Sequence, residues 1–267
     1  MGLLTVDVTT LGIVMSSDSQ PIEIVSGDIR VPDFTGERRR DKISERHGGG
    51  FDGLVGYVGT EQIGPETTRA FIERVSRDQP DLPLPAFADQ LAHELSAAWV
   101  EHSLSTGLWV FIAGAEHGEL RFWWLFNGDF AGGLYVNLRR AFTVVNDLDD
   151  HAVPAAMTDG GFDSKADVLA NRTLFFRNGA LIPAARIFDE FTRLIERVYV
   201  GGYDGFERIS TLADYAYLVR MRQEFIKRMF DSSKGIYRHR NPPIGGVVYV
   251  RGVSPDGEIS EYEKNAP

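Results

Sequence analysis

Thr5 is the residue near the start of the chain whose type could do covalent chemistry, and Met1-Gly2-Leu3-Leu4 stand in front of it. A threonine hydroxyl becomes a nucleophile when a base takes its proton. A free α-amine, with an ordinary pKa of about 8, is close enough to neutrality to serve as that base. A cut after Leu4 would put amine and hydroxyl on the same residue. Removal of Met1 alone exposes Gly2, which has no side chain. The plain alternative is that Thr5 is a buried strand residue near the start of a hairpin.

Other candidate chemistries fail on spacing. Gly48-Gly49-Gly50, with Gly53, Gly56 and Gly59, is glycine-rich, but no Gly-Lys-Ser/Thr follows it and no GxGxxG opens a helix there. His93-Glu94 lacks a second histidine four residues on, and His102 lies too far along, so neither metal nor other cofactor is expected. No G-x-S-x-G elbow occurs. Asp149-Asp150 reads as a solvent-facing pair in a loop.

The elements that must position Thr5 are legible from periodicity. Residues 5–10 and 13–18 read as strands joined at Leu11-Gly12, a two-residue turn that would set Thr5 opposite Asp18. A polar stretch from Gln20 to Arg40 follows, then the apolar, glycine-dotted strand Gly53–Gly59. Residues four apart on one face predict helices over 60–78 (Ile63, Thr67, Phe71, Val75) and over 85–102 (Phe87, Leu91, Leu95, Trp99). Strands resume at 108–113, 120–126, 133–138 and 141–145. The segment 147–164 reads as loop, helical spacing returns at 184–199 and 211–230, and strands close the chain at 247–253 and 258–262. This order is not an alternating βαβ series. It predicts an α+β sandwich, with sheets stacked on one another and helices outside both.

Bulk properties narrow the function classes. The 267 residues carry 43% hydrophobic and 25% charged side chains, ordinary for a globular protein. A formal net charge of −10 argues against nucleic acid or an anionic membrane surface as partner. No apolar run is long enough to span a membrane, the N-terminus does not read as a signal peptide, and the absence of cysteine suits a cytoplasmic protein.

Three segments together resemble the proteasome-type branch of the N-terminal nucleophile hydrolases. Gly12-Ile13-Val14-Met15-Ser16-Ser17-Asp18-Ser19 is similar to that family's second strand and its closing acid. Asp41-Lys42-Ile43 is similar to the pair that carries its lysine, and Gly53-Leu54-Val55-Gly56-Tyr57-Val58-Gly59 to its strand with two glycines. Lys42 and Gly56 are fourteen residues apart, as in the family. Ile244–Val250 with Pro255-Asp256-Gly257 looks like its last hairpin. The likeness covers residues 5–130 and, more loosely, 211–260. The resemblance implies a four-layer αββα sandwich, one domain over 1–267 with an insertion around 147–210, and self-assembly into a homo-oligomeric ring.

The same resemblance implies amide hydrolysis of peptide or unfolded-protein substrates by Thr5. Lys42 would lower the hydroxyl's pKa, Asp18 would hold Lys42, and a backbone N–H at Gly56 would stabilise the oxyanion, a contribution of roughly 3 kcal/mol. A different alignment matches Thr5-Val6 to the third and fourth residues of the family's opening. Leu3 then stands at the nucleophile position, and the chain is a catalytically silent structural or regulatory subunit. A partner ATPase is not legible from the residues.

Overall fold

The computed structural model describes residues 3–19, 23–25, 28–30, 41–104, 107–131, 134–136, 138–179, 185–201, 208–232 and 246–262. Alternating side chains make β1 (Leu3–Thr9) and β2 (Gly12–Asp18) a hairpin buried along its whole length. A detached ribbon, β3 (Glu23–Val25) and β4 (Asp28–Arg30), precedes β5 (Ile43–Arg46) and β6 (Asp52–Gly59). The small pair β7 (Gln62–Ile63) and β8 (Glu66–Thr67) leads into α1 (Thr68–Asp78). Thr67 caps that helix by accepting from the Ala70 amide at 3.1 Å. Next come α2 (Leu84–Glu101), β9 (Leu108–Glu116), β10 (Glu119–Phe126), a second ribbon of β11 (Asp129–Ala131) and β12 (Leu134–Val136), and β13 (Thr143–Val145). The chain continues through α3 (Val153–Gly160), α4 (Lys165–Asn171), β14 (Leu174–Gly179), α5 (Ala185–Gly201), α6 (Leu212–Ser232), β15 (Val248–Val253) and β16 (Ile259–Glu261).

Two five-stranded antiparallel sheets form, in the orders β14-β1-β2-β15-β16 and β13-β10-β9-β6-β5. One core lies between them, where Leu4, Val6 and Met15 of the first meet Ile43, Leu54 and Phe111 of the second. The other face of the second sheet packs Val55 and Val110 on Phe71, Phe87 and Leu91 of α1 and α2. The other face of the first packs Val14 and Val250 on Ile195 of α5 and on Tyr215 and Val219 of α6. Strand alternation therefore sorts β1: Leu4, Val6 and Val8 turn to the second sheet, while Thr5 and Asp7 meet α6.

Four sequence expectations change. The β1–β2 turn is Thr10-Leu11, because Thr9 pairs with Gly12 and Thr5 with Ser16. Gly12 is a strand residue at φ 142°, and a Cβ there would lie 2.4 Å from the Val253 carbonyl of β15, so glycine serves close approach instead of the turn. The Thr9 hydroxyl accepts from the Leu11 amide at 3.2 Å, and Thr10 is bound to the Tyr199 hydroxyl of α5 at 2.6 Å, which pins this register. The first helix starts at Thr68, with Ile63 in the strand pair before it. The segment read as loop after Asp147 is helical from Leu148 to Gly160, beginning as a π-turn. There Asp149 pairs with Arg121 at 2.9 Å and Lys165 at 2.6 Å instead of facing solvent. Most of the Gln20–Arg40 stretch lies outside the described residues. The region 147–210 supplies β14, the neighbour of β1.

Candidate functional site around Lys42 and Asp18

Lys42 enters β5 and Asp18 ends β2, on different sheets, and the two side chains meet in the interior. Lys42 Nζ donates to Asp18 Oδ1 at 3.3 Å, and both are about 1% exposed. The same oxygen accepts the Leu3 amide at 2.7 Å. Desolvating two charges offsets much of their attraction, so this pair is a positioning contact more than a source of stability.

The strand carrying Lys42 is fastened from the far end of the chain. Asp41 Oδ1 accepts the Ile43 amide at 2.9 Å, and its Oδ2 is ion-paired with Arg251 of β15. Arg251 also donates to the Ile43 carbonyl, Glu45 and Glu261, each at 2.9 Å. A cleft of about 480 Å³ opens beside this cluster, lined by Glu45, Arg46, His47, Arg69, Arg77 and Arg251 among others. It borders the partners of Asp41 and not Lys42 itself.

Gly56 pairs with Ile43 across β5 and β6, one residue from Lys42. A Cβ on Gly56 would fall 2.4 Å from Met15 Sδ and 2.9 Å from Leu4 Cδ1. Glycine thus leaves room at this point for Met15 and Leu4 of the hairpin β1–β2 to lie against the second sheet. Gly56→Ala is expected to cost about 1–3 kcal/mol by overpacking. Denaturant unfolding checks this, and a cost below half a unit would mean the sheets have room to separate.

Thr5 belongs to a different set of side chains. Its Oγ1 lies 2.7 Å from Ser16 Oγ and accepts from Arg222 at 3.2 Å and Gln223 at 3.3 Å. Gln223 also donates to Ser16 Oγ at 2.7 Å. Arg222 holds Asp7 through two bonds, at 2.9 and 2.6 Å, and Tyr215 donates to the same carboxylate at 3.2 Å. Every member is buried. The expected register, Thr5 opposite Asp18, is replaced by Leu3 bound to Asp18 through its backbone, with Thr5 under α6. Sequence reading missed Asp7, Arg222, Gln223 and Arg251. A signal for two of them existed: Arg222 and Gln223 fall on the face of α6 marked by Val219 and Ile226, so a polar pair interrupts an apolar stripe.

Burial, reinforced by the Asp7 carboxylate, raises the Tyr215 phenol well above its ordinary value near 10. In the unfolded chain this phenol ionises near 10, and in the folded chain only at higher pH. Between those values the unfolded state binds fewer protons, so folding stability falls as pH rises beyond about 10. One such proton gives a slope of up to about 1.4 kcal/mol per pH unit. Urea unfolding between pH 9 and 11.5 is expected to show this slope, and Tyr215→Phe is expected to remove that share of it.

Among the described residues no group of three or more His, Asp and Glu could hold a metal ion, and no helix is long and apolar enough to cross a membrane.

No protein-family model matches this chain, and no curated protein matches it. Solved structures do. A structure described as an Anbu (Gly-1) mutant from Hyphomicrobium sp. strain MC1 aligns over 99% of this chain and 89% of its own, with 12% identity and a TM-score of 0.53. One described as Anbu (ancestral beta-subunit) from Yersinia bercovieri aligns over the same shares, with 13% identity and a TM-score of 0.48. The likeness to the first is one of fold: a mixed α/β chain with antiparallel sheets, similar to Anbu over nearly its whole length.

Proposed function

We propose that the chain is a proteasome-related, ring-forming subunit of αββα architecture that performs no threonine-nucleophile chemistry at Thr5. The observation that carries this reading is the placement of Thr5. Its hydroxyl is buried and engaged by Ser16, Arg222 and Gln223, on a strand flanked by β14 on one side and β2 on the other. Releasing an amine at Thr5 would require removing Leu3 and Leu4, both fully buried and both paired to β14. The lysine–aspartate pair that would serve catalysis is instead met by the Leu3 amide, and the residue bonded to that amide is Gly2, which offers no hydroxyl. Lys42, Asp18 and Gly56 then act as a positioning set buried between the sheets.

In this reading the assembly is a homo-oligomeric cytoplasmic ring, the chain is one domain, and residues 147–210 are its insertion. The test is the intact mass and N-terminal residue of the purified, assembled protein, followed over days at 37 °C. A chain that begins at Met1 or Gly2 and stays so supports a silent subunit. A chain that begins at Thr5, with Thr5→Ala blocking both its formation and the cleavage of peptide amides, restores the hydrolase and removes this reading.

A further inference from the structure

We propose that the open edge of β5, in the cleft beside α1, docks one extended segment of a partner polypeptide, which adds a strand at Glu45 and sets a carboxylate on Arg77. β5 is the last strand of its sheet, so one side of its backbone has no neighbouring strand among the described residues. Alternation identifies the groups on that side. The Lys42 carbonyl accepts from the Tyr57 amide of β6 at 3.1 Å, so Lys42 faces the sheet. Ile43 faces outward, and both its groups are engaged there, the amide by Asp41 and the carbonyl by Arg251. Ser44 faces the sheet again, and Glu45 faces outward. The Glu45 amide and carbonyl have no partner among the described residues, and Glu45 lines the cleft of about 480 Å³. Its side chain is drawn back onto Arg251 of β15 at 2.9 Å. Asp41 and Arg251 thus close the edge at one residue and leave it open two residues further on.

Charge selects the occupant. Ser44 reaches Glu73 of α1 at 3.4 Å while Glu45 reaches Arg251, so side chains along β5 alternate between the helix and the first sheet. α1 runs in the same direction as β5: Arg69 meets the Asp41 carbonyl, Glu73 meets Ser44, and the Gln79 carbonyl meets Arg46. Ser76 and exposed Arg77, which also line the cleft, fall between the last two contacts. Neither has a side-chain hydrogen bond or ion pair among the described residues, whereas Arg69 is held by Glu73 at 2.6 Å. Every pair in this sheet is antiparallel. In an added antiparallel strand, one residue lies opposite Glu45, the residue before it level with Arg46 and the residue after it level with Ser44. Those two neighbours point to α1. A carboxylate on the first meets Arg77 and the Ser76 hydroxyl, and on the second it meets Glu73. A second copy of β5 is excluded, because pairing at this position sets Glu45 against Glu45. Main-chain bonds supply affinity and the carboxylate supplies selection. The inference rests on neither the ring nor the silence of Thr5.

The probe is a fluorescent peptide with blocked ends, Val-Glu-Thr-Thr-Val, whose central threonine lies opposite Glu45. It is titrated into the full-length protein as purified, and binding is read by anisotropy. The isomer Val-Thr-Thr-Glu-Val carries the same charge but turns its acid to Glu73, and is expected to bind roughly tenfold more weakly or worse. Methylating the central amide nitrogen, which leaves the protein untouched, is expected to cost about as much by removing the donor to the Glu45 carbonyl. Arg77→Glu is expected to weaken the first peptide roughly tenfold or more, with helix content unchanged by circular dichroism. Hydrogen exchange of the free protein is expected to be faster at the Glu45 amide than at Ser44 and Arg46, and to slow when the peptide binds. No saturable binding at millimolar peptide, equal affinity for the two isomers, or indifference to the methyl group or to Arg77→Glu would each overturn the proposal. A Glu45 amide already protected in the free protein would also overturn it, by showing that another part of the protein fills the edge.

Discussion

Arg222→Ala is expected to destabilise the protein by about 3–5 kcal/mol, because it leaves the Asp7 carboxylate buried without its counter-charge. Both side chains are fully inaccessible, and the guanidinium, stacked 4.3 Å from the Phe175 ring centroid, supplies two of the bonds that Asp7 accepts. Loss of the arginine also removes a donor to Thr5, leaving Gln223 on Thr5 and Tyr215 on Asp7 as the remaining side-chain bonds from α6 to these two β1 residues. Guanidinium chloride unfolding measures the cost. Replacing both partners, Asp7→Asn with Arg222→Met, is expected to recover at least half of it, since an apolar or neutral pair carries no uncompensated charge. A single-variant cost below about 1 kcal/mol would mean that water reaches Asp7 and that α6 is not sealed on the sheet.

The second large effect is expected at Arg46. Its Nη1 donates to the Phe51 carbonyl at 2.9 Å, and its Nη2 to the carbonyls of Gln79, Pro80 and Leu82 at 2.8, 3.1 and 3.1 Å. The guanidinium also lies over the rings of Phe51 and Phe87, 4.0 and 4.6 Å from their centroids. Burial lowers its pKa from the ordinary arginine value, with Asp52 and Asp81 opposing, but an arginine keeps its proton and four carbonyls share its charge. One side chain thus ties the strand β5 to the link between α1 and α2. Arg46→Met leaves those carbonyls without their donor and removes the stacking, and is expected to cost about 3 kcal/mol. Arg46→Lys is expected to recover less than half, because a point ammonium cannot reproduce the planar fork. Recovery close to full by lysine would show that charge alone matters there.

These two arginines mark what a linear reading overlooks. Arg46 sits in a short strand where a charged residue is ordinary, and its value lies in carbonyls more than thirty residues away. Asp7 and Arg222 are separated by 215 residues, so only packing reveals that they are one unit.

Several features were determined by the sequence alone. The alternation of β1 and β2, the four-residue spacing in α1, α2 and α6, and the fourteen-residue step from Lys42 to Gly56 are local properties of side chains, and they identified most of the elements. The lysine–aspartate pair was legible only through the family resemblance of Ser17-Asp18-Ser19 and Asp41-Lys42-Ile43, since nothing in the local pattern around either residue names the other. The hairpin register was not. Thr10-Leu11 and Leu11-Gly12 are both acceptable two-residue turns to a local reading. The choice fell to contacts from elsewhere, namely Tyr199 on Thr10 and the Val253 carbonyl against Gly12. That shift of one turn position moves the pairing by two residues, which keeps every side chain on its face but exchanges Thr5 for Leu3 beside Asp18. Strand periodicity is blind to a two-residue slip, since its repeat is two. Which residue meets the lysine, and hence what chemistry the site supports, was therefore decided by tertiary packing.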